Sequence, residues 1–193
     1  MAWLTFQPKD NFNCTTYTGT GAANTITGVG FQPDFIWQKA RSQSQSHRVF
    51  DSVRGGTSLI YPDLANGEDT SDQFITSFNS DGFTMGTAGG NANDSGTTYV
   101  SWNWKTGTTS GLSGGTITPS SYSINATTGV GIYKYTGTGS AGTIPHGLGV
   151  APKLVIIKRI DSSTQWSVYH YEVGEAKHLA LDTKIAEQTG SAY

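Results

Sequence analysis

Charge is scarce in this chain: Asp, Glu, Lys and Arg make up 13% of its 193 residues, and the formal net charge is −2. The cationic surface that nucleic-acid binding requires is missing, since the densest points are only Lys39/Arg41 and Lys158/Arg159. No nucleic-acid partner is predicted. Long apolar runs are missing as well. None exceeds four residues, as in Leu154-Val155-Ile156-Ile157, far too short to span a bilayer as a helix, so no membrane insertion is predicted. A single cysteine, Cys14, excludes an intrachain disulfide. The segment Met1-Ala2-Trp3-Leu4-Thr5-Phe6 has neither the basic nor the long apolar stretch of a signal peptide, which predicts synthesis in the cytoplasm.

Catalytic and cofactor motifs are equally thin. Gly137-Thr138-Gly139-Ser140-Ala141-Gly142 matches the dinucleotide pattern letter by letter, but Thr143-Ile144-Pro145 follows where a helix N-terminus must meet the pyrophosphate. A turn is the expected reading. The four histidines, His47, His146, His170 and His178, have no zinc-ligand spacing. Asp63, Glu68, Asp69 and Asp72 form a loop cluster without the spacing of a calcium-binding EF-hand, and a solvated loop is expected there. No nucleophile elbow occurs, and no pair of carboxylates stands out as a glycosidase pair. The expectation is a non-enzymatic protein with no catalytic residue, no cofactor and no metal.

What the chain has is Gly, Thr, Ser and Asn together with 11% aromatics, including 5 Trp. Thr and aromatics favour strands, Gly, Asn and Ser favour turns, and the aromatics anchor a core. This predicts an all-β fold, an antiparallel sandwich of jelly-roll or concanavalin-like type.

Self-similarity organises the chain. Tyr17-Thr18-Gly19-Thr20-Gly21 recurs as Tyr135-Thr136-Gly137-Thr138-Gly139, an offset of 118 (17 to 135). Gly28-Val29-Gly30-Phe31-Gln32-Pro33 recurs around Gly147-Leu148-Gly149-Val150-Ala151-Pro152, an offset of 119 (28 to 147). Asp34-Phe35-Ile36-Trp37-Gln38-Lys39 matches Lys153-Leu154-Val155-Ile156-Ile157-Lys158, and His47-Arg48-Val49-Phe50-Asp51 matches Trp166-Ser167-Val168-Tyr169-His170. The offset carries Phe74 to position 193, so the second copy is expected to be incomplete. The predicted organisation is an N-terminal segment 1–16 with Trp3, Leu4 and Phe6 as a candidate anchor, a first sandwich module 17–105, a Gly/Ser/Thr-rich flexible linker 106–121, and a truncated second copy 122–193.

Individual strands can be read from the alternation. Phe35–Lys39 is expected to pair with Arg48–Phe50 across a polar loop. Phe78–Phe83 is expected to form a hairpin with Asp81-Gly82 as its turn. In Tyr99–Trp104, Val100, Trp102 and Trp104 share one face and Tyr99, Ser101 and Asn103 the other. The apolar set is expected to point into the core. Tyr99 and Asn103 are then the candidate binding residues on the contact surface. Residues 175–188 are the one helical candidate, with a turn-rich path as the alternative.

These pieces carry a family resemblance. Thr76-Ser77-Phe78-Asn79-Ser80-Asp81-Gly82-Phe83-Thr84-Met85-Gly86, Phe50-Asp51-Ser52-Val53-Arg54-Gly55 and Tyr99-Val100-Ser101-Trp102-Asn103-Trp104-Lys105, with the repeated segments above, resemble a repeated β-rich domain of tail-fibre-like and other virion structural proteins of tailed phages, especially marine ones. The resemblance implies a lectin-like sandwich without catalytic residues. It implies residence in the virion as a tail fibre or tail-associated protein that contributes to host-surface attachment, usually as a homo-oligomer among other virion proteins, with a host glycan or protein as the surface partner. Capsid decoration, a head fibre, and a tail-borne glycan hydrolase are the alternative readings.

Overall fold

The computed structural model describes residues 7–87 and 91–190, so Trp3, Leu4 and Phe6 of the candidate anchor lie outside the described residues. The first half of the chain forms β1 (Phe12–Thr18), β2 (Asn24–Ile26), β3 (Phe35–Ala40), β4 (Arg48–Asp51), β5 (Ser58–Leu59), β6 (Asp69–Thr70), β7 (Ile75–Asn79), β8 (Gly82–Met85) and β9 (Thr98–Trp104). The second half forms β10 (Ser121–Asn125), β11 (Val130–Lys134), β12 (Leu154–Ile157), β13 (Ser167–His170), β14 (Lys177–Ala180) and β15 (Gln188–Thr189). Residues 175–188 therefore hold β14, a bend and the start of β15 in place of a helix. The dinucleotide-like string 137–142 is an irregular path with a bend at Gly139-Ser140 and no helix after it.

Two antiparallel sheets make the sandwich. One runs β1-β9-β3-β4 and the other β2-β8-β7. Between them lie Ile36 and Phe50 from the first sheet and Ile26, Ile75, Phe83 and Met85 from the second, closed by Leu59, Phe74 and Ala92. Each large side chain buried in this way contributes about 1.5–3 kcal/mol. The β3–β4 hairpin forms as its alternation implies, with Ile36 opposite Phe50 and Trp37 opposite Val49.

The β7–β8 hairpin also forms, but its turn sits one residue earlier than expected. Asn79 faces Gly82, so Ser80 and Asp81 are the two turn residues. Gly82 opens β8 at φ 147°, a conformation that only glycine adopts readily. A β-carbon there would run into the Ile26 carbonyl of the neighbouring strand.

The face of β9 is the reverse of the sequence expectation. Tyr99, Ser101 and Asn103 are wholly buried, while Val100, Trp102 and Trp104 are half-exposed on the outside. The cause is a polar inner surface over β1, β9 and β3. The Tyr99 hydroxyl donates to the Asn91 carbonyl at 2.8 Å and accepts the Asp94 amide at 3.0 Å. Asn103 Nδ2 lies 3.1 Å from the Asn13 carbonyl and 3.1 Å from Ser101 Oγ. Gln38 Nε2 donates to the Tyr17 hydroxyl at 2.8 Å, and that hydroxyl donates to the Ala92 carbonyl at 3.0 Å. Thr15 Oγ1, Gln38 Oε1 and Asn103 Oδ1 take no protein partner. Elsewhere on this face buried polar atoms are bonded, as burial demands.

In the second half, β12, β13, β14 and β15 form one sheet in that order. Each begins 119 residues after β3, β4, β5 and β6 respectively, as in Phe35 to Leu154 and Arg48 to Ser167. β10 and β11 form a separate hairpin. The start of the expected linker is tied down: the Thr106 amide donates to Asp34 Oδ2 at 2.7 Å, and Thr108 bridges Ile124. The two halves touch. Trp166 is buried against Val49 and Ile60, with Phe35, Trp37 and Ile160 packed around them. Its indole N–H donates to the carbonyls of Tyr61 (2.9 Å) and Leu64 (3.1 Å).

Candidate functional site

The outward turn of β9 places large aromatic rings on the outer face of the four-stranded sheet. Strand registers arrange them in rows. Phe12, Trp104 and Phe35 lie side by side across β1, β9 and β3. One pleat along, Cys14, Trp102, Trp37 and Val49 form the next row. Phe12 and Trp104 have ring centroids 4.8 Å apart, and Phe35 meets Trp104 edge-on at 5.3 Å. Such pairs hold one another in place, adding about 0.5–1.5 kcal/mol each beyond area burial.

Exposure varies across the face. Trp166 packs at the β4 side, so Phe35 and Trp37 are partly covered there. Toward β1 the face opens: Phe12 is 37% exposed and Cys14 is exposed, while Trp102 and Trp104 are half-buried, as Phe35 and Trp37 are. Trp37 is fixed by its indole N–H, which donates to His47 Nδ1 at 2.9 Å. Burial holds the His47 pKa below its ordinary value, against an opposing pull from Asp63. A neutral imidazole is what this contact requires, because protonated Nδ1 accepts nothing.

An apolar, uncharged, rigid aromatic strip packs against flat apolar surfaces. Sugar C–H faces and partner aromatic or proline side chains are of that kind. Tyr99 and Asn103, the binding residues expected from sequence, lie beneath this strip inside the sandwich and present no atom to its surface. Alternation in Tyr99–Trp104 did separate the two sets. The missed signal was the polarity of the opposing β1 and β3 positions: Asn13 lies opposite Asn103, and Thr15 and Gln38 lie opposite Ser101.

A second concavity, about 540 Å³, lies at the edge where β5 and β6 meet the second half. Gln45, Arg48, Tyr61, Asn66, Glu68 and Asp69 are among the residues lining it. The loop carboxylates do not gather there as a ligand set. Glu68 pairs with Arg54 at 3.0 Å, and Arg54 also pairs with Asp51 at 2.6 Å. Asp69 accepts the Tyr61 hydroxyl at 3.3 Å, and Asp63 accepts the His47 amide at 3.1 Å. Among the described residues no three His, Cys, Asp or Glu side chains converge as a metal site would need.

Residues 7–193 match the family model described as Domain of unknown function (DUF7483), and the chain belongs to that family. Neither the comparison with curated proteins nor that with solved structures returned a match.

Proposed function

We propose that this chain is a non-enzymatic structural protein of a phage virion, part of a tail fibre or tail-associated assembly, and that it contributes to host-surface attachment. The observation that carries the reading is the outward aromatic strip Phe12, Trp104, Phe35, Trp102 and Trp37 on a rigid antiparallel sheet. The resemblance of the repeated segments to virion proteins supplies the setting. Contact through flat aromatic faces is weak at one site. Several copies in a homo-oligomeric fibre raise the avidity without any new contact. Host glycans suit the strip, since sugar rings offer apolar C–H faces to an aromatic plane and the strip carries no charge to select an ion.

Two measurements test the proposal. Gold-labelled antibody against residues 17–105 should decorate the tails of intact particles. Soluble protein should adsorb saturably to host cells without releasing sugar reducing ends. Label over the capsid would transfer the protein to shell decoration. Released reducing ends from a clean preparation would make it a hydrolase. No label on accessible particles would sink the virion reading.

A further inference from the structure

The segment Asp51-Ser52-Val53-Arg54 carries a charge network that the strand arrangement does not require. The Arg54 side chain is 6% exposed, and its guanidinium meets Asp51 Oδ2 at 2.6 Å, Glu68 Oε2 at 3.0 Å and the Val49 carbonyl at 3.1 Å. The second half repeats the surrounding strands 119 residues later, with β13, β14 and β15 in the places of β4, β5 and β6. There His170, Val173, Ala180 and Gln188 stand at the positions of Asp51, Arg54, Tyr61 and Asp69. Glu187, at the position of Glu68, pairs with Lys177 instead. The same strands therefore form without the Asp51–Arg54–Glu68 network.

What the network does is fix Glu68 in the lining of the concavity of about 540 Å³. The Glu68 side chain is 16% exposed and holds Arg54 through Oε2 only. Asp69 takes the Tyr61 hydroxyl on Oδ2. Among the described residues Glu68 Oε1, Asp69 Oδ1 and the whole Asn66 amide have no partner. The backbone that carries them is fixed as well. The Glu68 amide donates to the Ile160 carbonyl at 2.8 Å, and the Lys158 ammonium donates to the Ala65 carbonyl at 3.1 Å. Gly67 backs onto the second half so closely that a β-carbon would lie 3.0 Å from the Ile160 carbonyl oxygen. Elsewhere in the lining, Gln45 donates to Asp94 at 2.9 Å, and the buried Arg48 donates to the Ser46 carbonyl at 3.1 Å. Groups held in place before a ligand arrives lose little freedom when it binds.

The lining selects a ligand class. Cofactors and other apolar ligands sit in mostly apolar pockets, and here Tyr61 and Leu64 are the only large apolar side chains. An anion would meet the carboxylates of Glu68 and Asp69, two like charges against the one cation Arg48. A metal ion would need three converging ligands, which the described residues do not bring together. A neutral ligand with adjacent hydroxyls fits: each hydroxyl can donate to a carboxylate oxygen and accept from the Asn66 amide. Tyr61 and Leu64 are left for its C–H faces. We propose that this cleft binds a neutral saccharide unit, held by Asn66, Glu68 and Asp69. The inference does not need the attachment reading, because the cleft and the aromatic strip share no residue.

The test titrates the full chain, labelled for amide NMR, with glucose, galactose, mannose and N-acetylglucosamine, and separately with phosphate and acetate. At least one sugar should shift the Asn66 side-chain amide and the Gly67 and Glu68 backbone amides saturably, and neither anion should. Asn66→Ala removes an exposed, unpartnered donor and acceptor. Asp69→Asn replaces a charged acceptor by a neutral one that can still take the Tyr61 hydroxyl. Each should weaken sugar binding about tenfold, the effect of one hydrogen bond, with the melting temperature unchanged. No shift with any of the four sugars overturns the proposal, as does full affinity in both variants. Saturable shifts with phosphate or acetate overturn the neutral class. Shifts confined to the Trp102 and Trp104 indole signals overturn the cleft and leave the attachment reading standing.

Discussion

The indole N–H of Trp37 donates to Nδ1 of His47 at 2.9 Å, with the two rings edge-to-face at 5.9 Å. The contact joins an outward aromatic to the loop between β3 and β4 and makes the strip sensitive to acid. Burial lowers the folded His47 pKa, while in the unfolded chain it stays near 6.5. At pH values between the two, the unfolded chain binds the extra proton and the folded state does not. Stability is therefore full above about pH 6.5 and declines as pH falls through the lowered folded value. Thermal unfolding followed from pH 8 to pH 5 should show this decline, and His47→Gln should flatten it. An unchanged slope in the variant would remove His47 as the source.

Asp81 predicts a separate acid step. Its carboxylate accepts the amides of Gly28 at 3.0 Å and Gly30 at 2.6 Å. These bonds hold the loop that seats Val29 and Phe31 in the interior, and they lower the Asp81 pKa below its ordinary 3.8. The stabilisation is present above pH 3.8 and is lost as pH falls through the depressed folded value. Asp81→Ala should lower the urea midpoint at pH 7 and have little effect at pH 2. Equal effects at both pH values would show that the carboxylate charge is irrelevant.

Trp166 ties the second half to the first. It is 6% exposed, packs on Val49 and Ile60, and its indole N–H is shared by the Tyr61 and Leu64 carbonyls. Trp166→Ala should cost about 3–5 kcal/mol in chemical denaturation. Trp166→Phe keeps most of the packing and loses the hydrogen bonds, so about 1–2 kcal/mol is expected. Unfolding of the two halves at separate midpoints in Trp166→Ala would show that this residue couples them. A loss under 1 kcal/mol would mean that the contact is not made in solution.

Sequence legibility followed the range of the interactions involved. The β3–β4 hairpin was readable because Phe35–Lys39 and Arg48–Phe50 carry strand residues around a polar loop, all within one local segment. The β7–β8 hairpin was readable too, but its turn was placed a residue late. Gly82 marks where β8 crowds the Ile26 carbonyl, and that is a contact with β2 far away in sequence. Which face of β9 is buried was not readable from β9. Alternation yields two faces, and the choice depends on Asn13, Thr15 and Gln38 brought alongside by pairing. The Trp166 contact has no local signal at all, since its partners lie about a hundred residues earlier. Of the aromatic strip, Trp102 and Trp104 were therefore visible as one set but assigned to the wrong side.

That reassignment makes the last prediction. Tyr99 and Asn103 are interior residues. Tyr99→Phe removes a hydroxyl that bonds Asn91 and Asp94, and Asn103→Ala removes three donor contacts, so each should cost about 1–3 kcal/mol. Neither should change surface adsorption at a temperature where the variant stays folded. Trp102→Ala and Trp104→Ala remove half-exposed rings from the outer strip, where less buried area is lost and the stability cost should stay below about 2 kcal/mol. Under the attachment proposal these two should reduce adsorption to host cells most, because avidity multiplies a small loss at each copy. The discriminating comparison is melting temperature against adsorption for all four variants. If Trp102→Ala and Trp104→Ala adsorb as well as the parent, the strip is a structural face and attachment must reside elsewhere. If Tyr99→Phe loses adsorption while its melting temperature holds, the interior is communicating with a different surface, and the strip is not the contact.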